Sequence, residues 1–162
     1  MATFEVQAPQ GPFLLHVAHL NSPRHAFSKL RLRSIFTGEG SAEVDRFLTE
    51  RRQESRLARN HVRDGQTGLP QLVVGDFNMP VSSSVFRSHW SDLQSAFDTA
   101  GFGYGYTFPC DTKRSWPPGV PFVRIDHILA DENWSIEHCR IGRRNGSDHR
   151  MIAATLSLRS TD

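Results

Sequence analysis

Apolar residues along the chain fall into short runs separated by glycine, proline and asparagine, and the period within a run changes from one run to the next. Phe13 to Leu20 is nearly continuous and bounded by Gly11-Pro12 and Asn21-Ser22-Pro23, which predicts a buried strand emptying into a loop, with His19 at its end. Between Glu43 and Val62 the period becomes helical: Val44, Phe47, Leu48, Leu57, Ala58 and Val62 recur at spacings of three and four. The arginines between them, Arg46, Arg51, Arg52, Arg56, Arg59 and Arg63, alternate with Asp45, Glu50 and Glu54, and are expected to form a solvated outer face.

After the turn Asp64 to Gly68, the β-branched run Gln71 to Gly75 predicts a second strand, placing Asp76 and Asn78 at its end. Ser82-Ser83-Ser84 predicts the cap of a second helix, with Phe86, Trp90, Leu93 and Phe97 as its core-facing stripe. Gly101 to Gly119 holds glycine, proline and aromatic side chains together, too irregular for a helix or strand, and reads as an ordered surface loop. Three further strands are predicted, over Phe122–Leu129, Ile136–Ile141 and Met151–Leu158.

Composition narrows the class. A chain of 162 residues, 38% hydrophobic and 22% charged, is expected to be one globular domain able to bury its own core. Its two cysteines, Cys110 and Cys139, form no CxxC and are read as free thiols. No apolar run reaches the roughly 20 residues of a membrane helix, and the first residues lack a basic and then apolar leader, so no membrane partner and a cytoplasmic location are expected. The net charge of +2 is carried largely by arginine, which leans toward a polyanionic ligand.

Three polar clusters carry the candidate chemistry, and each lies at or beside a predicted strand: Asp76-Phe77-Asn78, then Asp126-His127 within an otherwise apolar strand, then Ser147-Asp148-His149-Arg150. A carboxylate inside an apolar strand requires a cationic or hydrogen-bonding partner. Brought to one sheet edge, these oxygens suit a hard cation such as Mg²⁺ or Mn²⁺, while a histidine held by an aspartate can stabilise charge on a phosphoryl oxygen. There is no HExxH set for zinc and no GxSxG for a serine nucleophile.

In this order, Gly75-Asp76-Phe77-Asn78, Arg124-Ile125-Asp126-His127-Ile128 and Ser147-Asp148-His149-Arg150 resemble the endonuclease/exonuclease/phosphatase superfamily of deoxyribonuclease I and exonuclease III, and most of all its uncharacterised bacterial branch. The resemblance runs from about Phe13 to Leu158 and covers only the C-terminal half of such a domain. It implies an α/β fold, half of a four-layer αββα sandwich: one mixed sheet with helices on one face, in a single truncated domain over residues 1–162. It implies a metal-dependent phosphodiester hydrolase, with a DNA nuclease of repair or processing as the main reading. Another phosphoester substrate and a non-cleaving DNA-binding remnant are the alternatives.

By resemblance, Asp76 orients or deprotonates the attacking water and Asn78 holds the phosphate or that water. Asp126 pairs with His149, His149 meets the phosphoryl oxygen, and His19 lies near the leaving group. Asp148, with Asp76 and Asn78, holds Mg²⁺ or Mn²⁺. Arg24, Arg143 and Arg144 flank these motifs, as do Arg31 and Arg33, and are expected to contact DNA, with Tyr104, Tyr106 and Trp116 stacking on bases.

The resemblance also implies a missing first half, with the asparagine and the glutamate that is the principal metal ligand. Nothing before Phe13 replaces them, Glu5 being a candidate by position alone. A sheet lacking its partner would expose an apolar face, so a homodimer packed sheet on sheet is expected, in which Glu39, Glu43 or Asp45 of a second copy reaches the metal.

Overall fold

The computed structural model describes residues 1–22, 39–65, 68–110 and 119–159, with side chains omitted for 39–43. Arg24, Arg31, Arg33, Trp116 and the side chains of Glu39 and Glu43 therefore lie outside the described residues.

The chain opens with an antiparallel hairpin of β1 (Ala2–Ala8) and β2 (Gly11–His19). β1 was not foreseen, although Ala2, Phe4, Val6 and Ala8 alternate with Thr3, Glu5 and Gln7 in the period of two that marks a half-buried strand. The helix α1 (Glu39–Asp64) then crosses over, and β3 (Gln71–Asp76) pairs parallel to β2. A parallel neighbour needs such a crossover, and the helix supplies it. α2 (Ser84–Trp90), β4 (Gln94–Ser95) and α3 (Ala96–Ala100) follow, then β5 (Asp126–Ala130), β6 (Trp134–Arg144) and β7 (Arg150–Leu158). One mixed five-stranded sheet has the order β1-β2-β3-β5-β4, and β6 and β7 form a separate antiparallel pair.

The strand alternation divides the core into two layers. On one face Ala18, Leu20, Val73 and Leu129 pack against Ala58 and Val62 of α1 and Val85, Phe86 and Trp90 of α2, with Phe77 fully buried between them. On the other face Leu72 and Ala130, with the partly buried Phe13 and Leu15, meet Trp134, Ile136, Leu156 and Leu158 of the β6-β7 pair. A third cluster joins Ala96 and Phe97 to Cys139, Ile128, Ile141 and Ile152. Helices thus cover one face of the sheet. The opposite face, expected to be bare without a second copy, is covered in part by the chain's own β6-β7 pair. Phe4, 54% exposed, and Val17, 39% exposed, remain open on that side.

Three expectations are revised. The stripe Phe86, Trp90, Leu93, Phe97 is not one helix: α2 ends at Trp90, Leu93 sits in the following turn, and Phe97 belongs to α3, whose cap Ser95 accepts a bond from the Asp98 amide at 3.4 Å. Phe86 and Trp90 do lie in the core, and Phe97 in the separate cluster beneath α3. The strand expected over Phe122–Leu129 begins only at Asp126; before it, Val123 makes an isolated bridge to Phe108. The arginines of α1 do not share one face. Arg46, Arg52, Arg56 and Arg63 are exposed, but Arg51 and Arg59 are buried beside Ser55, on the same stripe as Ala58 and Val62.

Cys110 and Cys139 are buried and in no disulfide. Among the described residues no helix is long and apolar enough to cross a membrane. The described part of the aromatic loop is ordered against the core: Thr107 and Cys110 are buried, while Phe102 and Tyr104 face outward.

Candidate active site

Parallel β2 and β3 end side by side, with His19 in register with Asp76, and β5 begins where β3 stops, with Asp126 in register with Asp76. Three chain segments that are distant in sequence thereby deliver polar side chains to one edge, the position at which open α/β sheets hold their ligands. Asp126 is the first residue of its strand rather than an interior one, so its carboxylate reaches a cleft. The Thr107 hydroxyl, fully buried, fixes this strand start by accepting from the amides of Ile125 at 3.2 Å and Asp126 at 3.4 Å.

At the end of β3 the backbone is tightly constrained. Gly75 has φ +136°, and a Cβ built there would stand 1.9 Å from the Ala18 carbonyl oxygen, so only glycine lets β2 and β3 lie this close. Asn78 has φ +51°, the left-handed region that costs most residues about 1–3 kcal/mol but that asparagine tolerates best. Its side chain secures the turn. The Asn78 amide N–H donates to Asp76 Oδ1 at 2.7 Å, and its Nδ2 donates to Asp76 Oδ2 at 2.9 Å and to the Leu20 carbonyl at 2.8 Å. Both oxygens of Asp76 are oriented in this way.

His149 lies just before β7. Its Nδ1 donates to Asp126 Oδ2 at 2.9 Å, its amide donates to Ser147 Oγ at 3.0 Å, and its ring packs 4.8 Å from that of Phe108. With Nδ1 committed to the carboxylate, Nε2 is the nitrogen left for a ligand. The bond to Asp126 holds the imidazole above its ordinary pKa against the opposing effect of burial, and the charges of Asp126, Asp76 and Asp148 add to the rise. Asp76 is also raised, first by burial and then by the like charge of Asp126, while the Asn78 amide bond pulls the other way.

Asp76, Asp126 and His149 bring one ligand atom each to within 4.8 Å of one another. Two carboxylates that repel one another are a donor set that a hard divalent cation would relieve, so these residues fit part of such a site. The ligands foreseen were Asp148, Asp76 and Asn78. Asp148 stands next in the chain but outside this group; its carbonyl accepts from the Cys110 amide at 2.8 Å. Asn78 is adjacent, its Nδ2 occupied by Leu20 and Asp76. His19 is 81% exposed with Nε2 3.9 Å from Asp76 Oδ2, too long for a hydrogen bond. Glu5 and Asp45 are exposed and belong to no such group.

The cleft, about 380 Å³, is lined by Asp76, Asp126, His149, Arg143, Asn145 and Ser147 among others. Arg143 stands in the irregularity of β6 between Ile141 and Arg144; such a bulge turns a side chain out of the strand's regular alternation. Arg144 is exposed and in register with Arg150. A larger groove of about 610 Å³ starts at Pro80 and Val81, directly after the Asn78 turn, and includes Tyr104, Tyr106 and Phe122. Tyr104 and Tyr106 are stacked, ring centres 5.3 Å apart and planes 15° from parallel. The charged residues of this groove, Arg124 and Asp98, are paired with each other. Sequence reading missed Thr107 and Phe108, and gave Ser147 no role beyond its place in the last motif. It also missed Arg51, whose signal was a helical spacing shared with Ser55, Ala58 and Val62.

One sheet edge of this α/β fold thus gathers two carboxylates and an imidazole. Residues 6–149 match the model of the Endonuclease/Exonuclease/phosphatase family, and the chain belongs to that family. No curated protein matches it. Solved structures with the same fold include a family protein from Bacteroides thetaiotaomicron, 16% identical with a TM-score of 0.64 over 95% of this chain and 54% of that one. The mannosyl-6-phosphatase of the same organism is 16% identical with a TM-score of 0.61, over 91% and 52%. The catalytic domain of human Nocturnin with bound sulfate is 17% identical with a TM-score of 0.61, over 97% and 51%. The chain therefore spans about half the length of these structures.

Proposed function

We propose that the chain is a metal-dependent phosphodiester hydrolase acting on DNA, in repair or processing. The observation that carries this reading is the hydrogen bond between His149 and Asp126, beside an Asp76 whose two oxygens are both oriented by Asn78. The raised pKa favours the imidazolium, whose Nε2–H would meet a phosphoryl oxygen as negative charge grows there. Asp76, also raised, is a carboxylate of increased basicity, suited to orient and deprotonate a water attacking phosphorus. Mg²⁺ or Mn²⁺ held by the Asp76 and Asp126 carboxylates would supply charge neutralisation at the phosphoryl group. Asp148, adjacent to His149, strengthens the negative field that favours both the cation and the imidazolium.

DNA is favoured over a small phosphoester by the surroundings of the cleft. Arg143 lines the cleft and is exposed, and the exposed Arg144 follows it in the chain, so both offer charge to flanking phosphates, while the Tyr104 and Tyr106 stack offers uncharged aromatic faces in the groove that starts at Pro80. A sugar phosphate is the second reading, and the fold shared with a mannosyl-6-phosphatase supports it. A homodimer would bury Phe4 and Val17, which the β6-β7 pair leaves exposed; sedimentation at micromolar concentration tests that pairing.

The deciding experiment incubates supercoiled plasmid with the purified protein in Mg²⁺, Mn²⁺ or EDTA, beside Asp76→Ala and His149→Ala. Metal-dependent nicking that both substitutions abolish supports the reading. Cleavage equal in all three proteins, or none in any, overturns it. Release of phosphate from a sugar phosphate in place of nicking selects the second reading.

A further inference from the structure

We infer that Arg51 is a positioning residue: its guanidinium locks the Asn78 turn in the geometry that orients Asp76. The inference rests on the hydrolase reading above for its catalytic consequence, but its structural content stands apart from it. Arg51 projects from α1 into the end of the sheet and is only 6% exposed. Nη1 donates to the Asn21 carbonyl at 2.5 Å, and Nη2 donates to the Phe77 carbonyl at 3.1 Å and the Asn78 carbonyl at 2.9 Å.

These acceptors belong to the segments leaving β2 and β3. One planar cation therefore ties together the two strand ends that frame the site. Asn78 Nδ2 spans the same gap by donating to the Leu20 carbonyl, so the turn is stitched from both sides. Glu54 completes the arrangement by accepting from the Asn21 amide at 2.9 Å.

A buried arginine ordinarily meets a carboxylate, as Arg59 does through Asp92. Arg51 instead spends its donors on three main-chain carbonyls, with the Phe47 ring 5.5 Å from its guanidinium carbon. Three carbonyl oxygens converging on one fork is a geometry that fixes backbone, and the fork fixes it where φ is positive, together with asparagine's own side chain and the Phe77 amide bond to the Ile125 carbonyl. Lysine keeps the charge but has no planar fork with which to reach three carbonyls at once.

The test compares Arg51→Lys and Arg51→Met with Arg59→Lys, a buried arginine of the same helix that does not touch the turn. Two readouts are taken: kinetics on the plasmid substrate, and exchange of the Asn78 side-chain amide protons followed by NMR. For Arg51→Lys, kcat is expected to fall about 10- to 100-fold with KM within about twofold of wild type, the signature of a misplaced catalytic group. Asn78 side-chain exchange should accelerate in both Arg51 variants and not in Arg59→Lys.

Wild-type kcat and wild-type Asn78 protection in Arg51→Lys overturn the inference. So does a loss of protection spread evenly over α1 and β3, which a purely structural role predicts. Should Arg51→Met fail to fold, Arg51→Lys decides. Should the wild-type protein prove unable to hydrolyse any phosphoester, the hydrolase reading falls and the NMR comparison still tests Arg51.

Discussion

Asp76 and Asp126 face each other in register across the antiparallel pair of β3 and β5, the last residue of one strand against the first of the other. Asp126 is at once a like charge that raises Asp76 and the hydrogen-bond partner that raises His149. One residue therefore tunes both ionisable neighbours.

Replacing Asp126 by Asn should separate these effects. The amide leaves the imidazole without its charged acceptor, so the His149 pKa is expected to drop toward the ordinary histidine value. kcat should fall by about 10²- to 10⁴-fold as ring orientation and charge are lost. NMR titration of the His149 ring reports the first effect. A pKa unchanged in Asp126→Asn would refute the assigned pairing.

His127 gives a pH dependence of folding that arises chiefly from its own burial. It is buried between Phe77 and Phe86, its Nε2 is 2.9 Å from the Met79 carbonyl, and burial lowers its pKa to about 4. In the unfolded chain it titrates near its ordinary value of 6.5. The native state thus binds fewer protons across this window, so the contribution of His127 is complete above pH 6.5 and is lost as pH falls toward 4. The loss is on the order of 3 kcal/mol. Urea denaturation of wild type and His127→Gln at several pH values should show the difference between them narrowing as pH falls; a constant gap would count against it.

Gly75→Ala probes the close approach of β2 and β3. A methyl group 1.9 Å from the Ala18 carbonyl oxygen, at a φ that side chains avoid, forces the strands apart. Destabilisation of at least about 3 kcal/mol, or loss of cooperative folding, is expected in urea or thermal melts. A variant within 1 kcal/mol of wild type, to within about the usual error of such melts, would show that the register is looser than described.

If DNA is the ligand, its affinity should weaken steeply with salt. Arg143→Ala and Arg144→Ala should each lower the slope of log K against log salt by about 1. Binding of a labelled duplex measured by anisotropy across a salt series checks this, and a slope unaffected by both substitutions removes these arginines from the interface.

Much of the frame was legible because periodicity records which side of an element is buried. β2, β3, the crossover helix, β6 and β7 stand where their apolar runs are, while β5 takes up only the second half of its run. β1 went unread although its alternation is regular, because an edge strand with one face open carries few large apolar residues. The false long helix through Phe86 and Phe97 has the opposite cause: spacings of three and four recur across a turn as easily as within a helix, and neither Ser91 nor Asp92 marks the break. Arg51 and Arg59 were assigned to solvent because a stripe containing arginine and serine reads as polar. Only the tertiary structure shows that carbonyls and Asp92 await them. In the site, Asp76, Asn78, Asp126 and His149 were recognisable from their motifs, and Ser147 stands in the last of them, whereas Thr107 acts by accepting from backbone amides, which leaves no pattern in a sequence.

The hydrogen bond between His149 and Asp126 also joins two sheets that share no strand, since Asp126 opens a strand of the five-stranded sheet and His149 precedes the second strand of the separate pair. The same two sheets are packed together through Leu72 and Ala130 against Trp134, and through Ile128 against Cys139 and Ile152, so one displacement would disturb the bond and the packing together. The geometry that orients the imidazole is therefore set by the seating of two separate sheets, and not by either sheet alone.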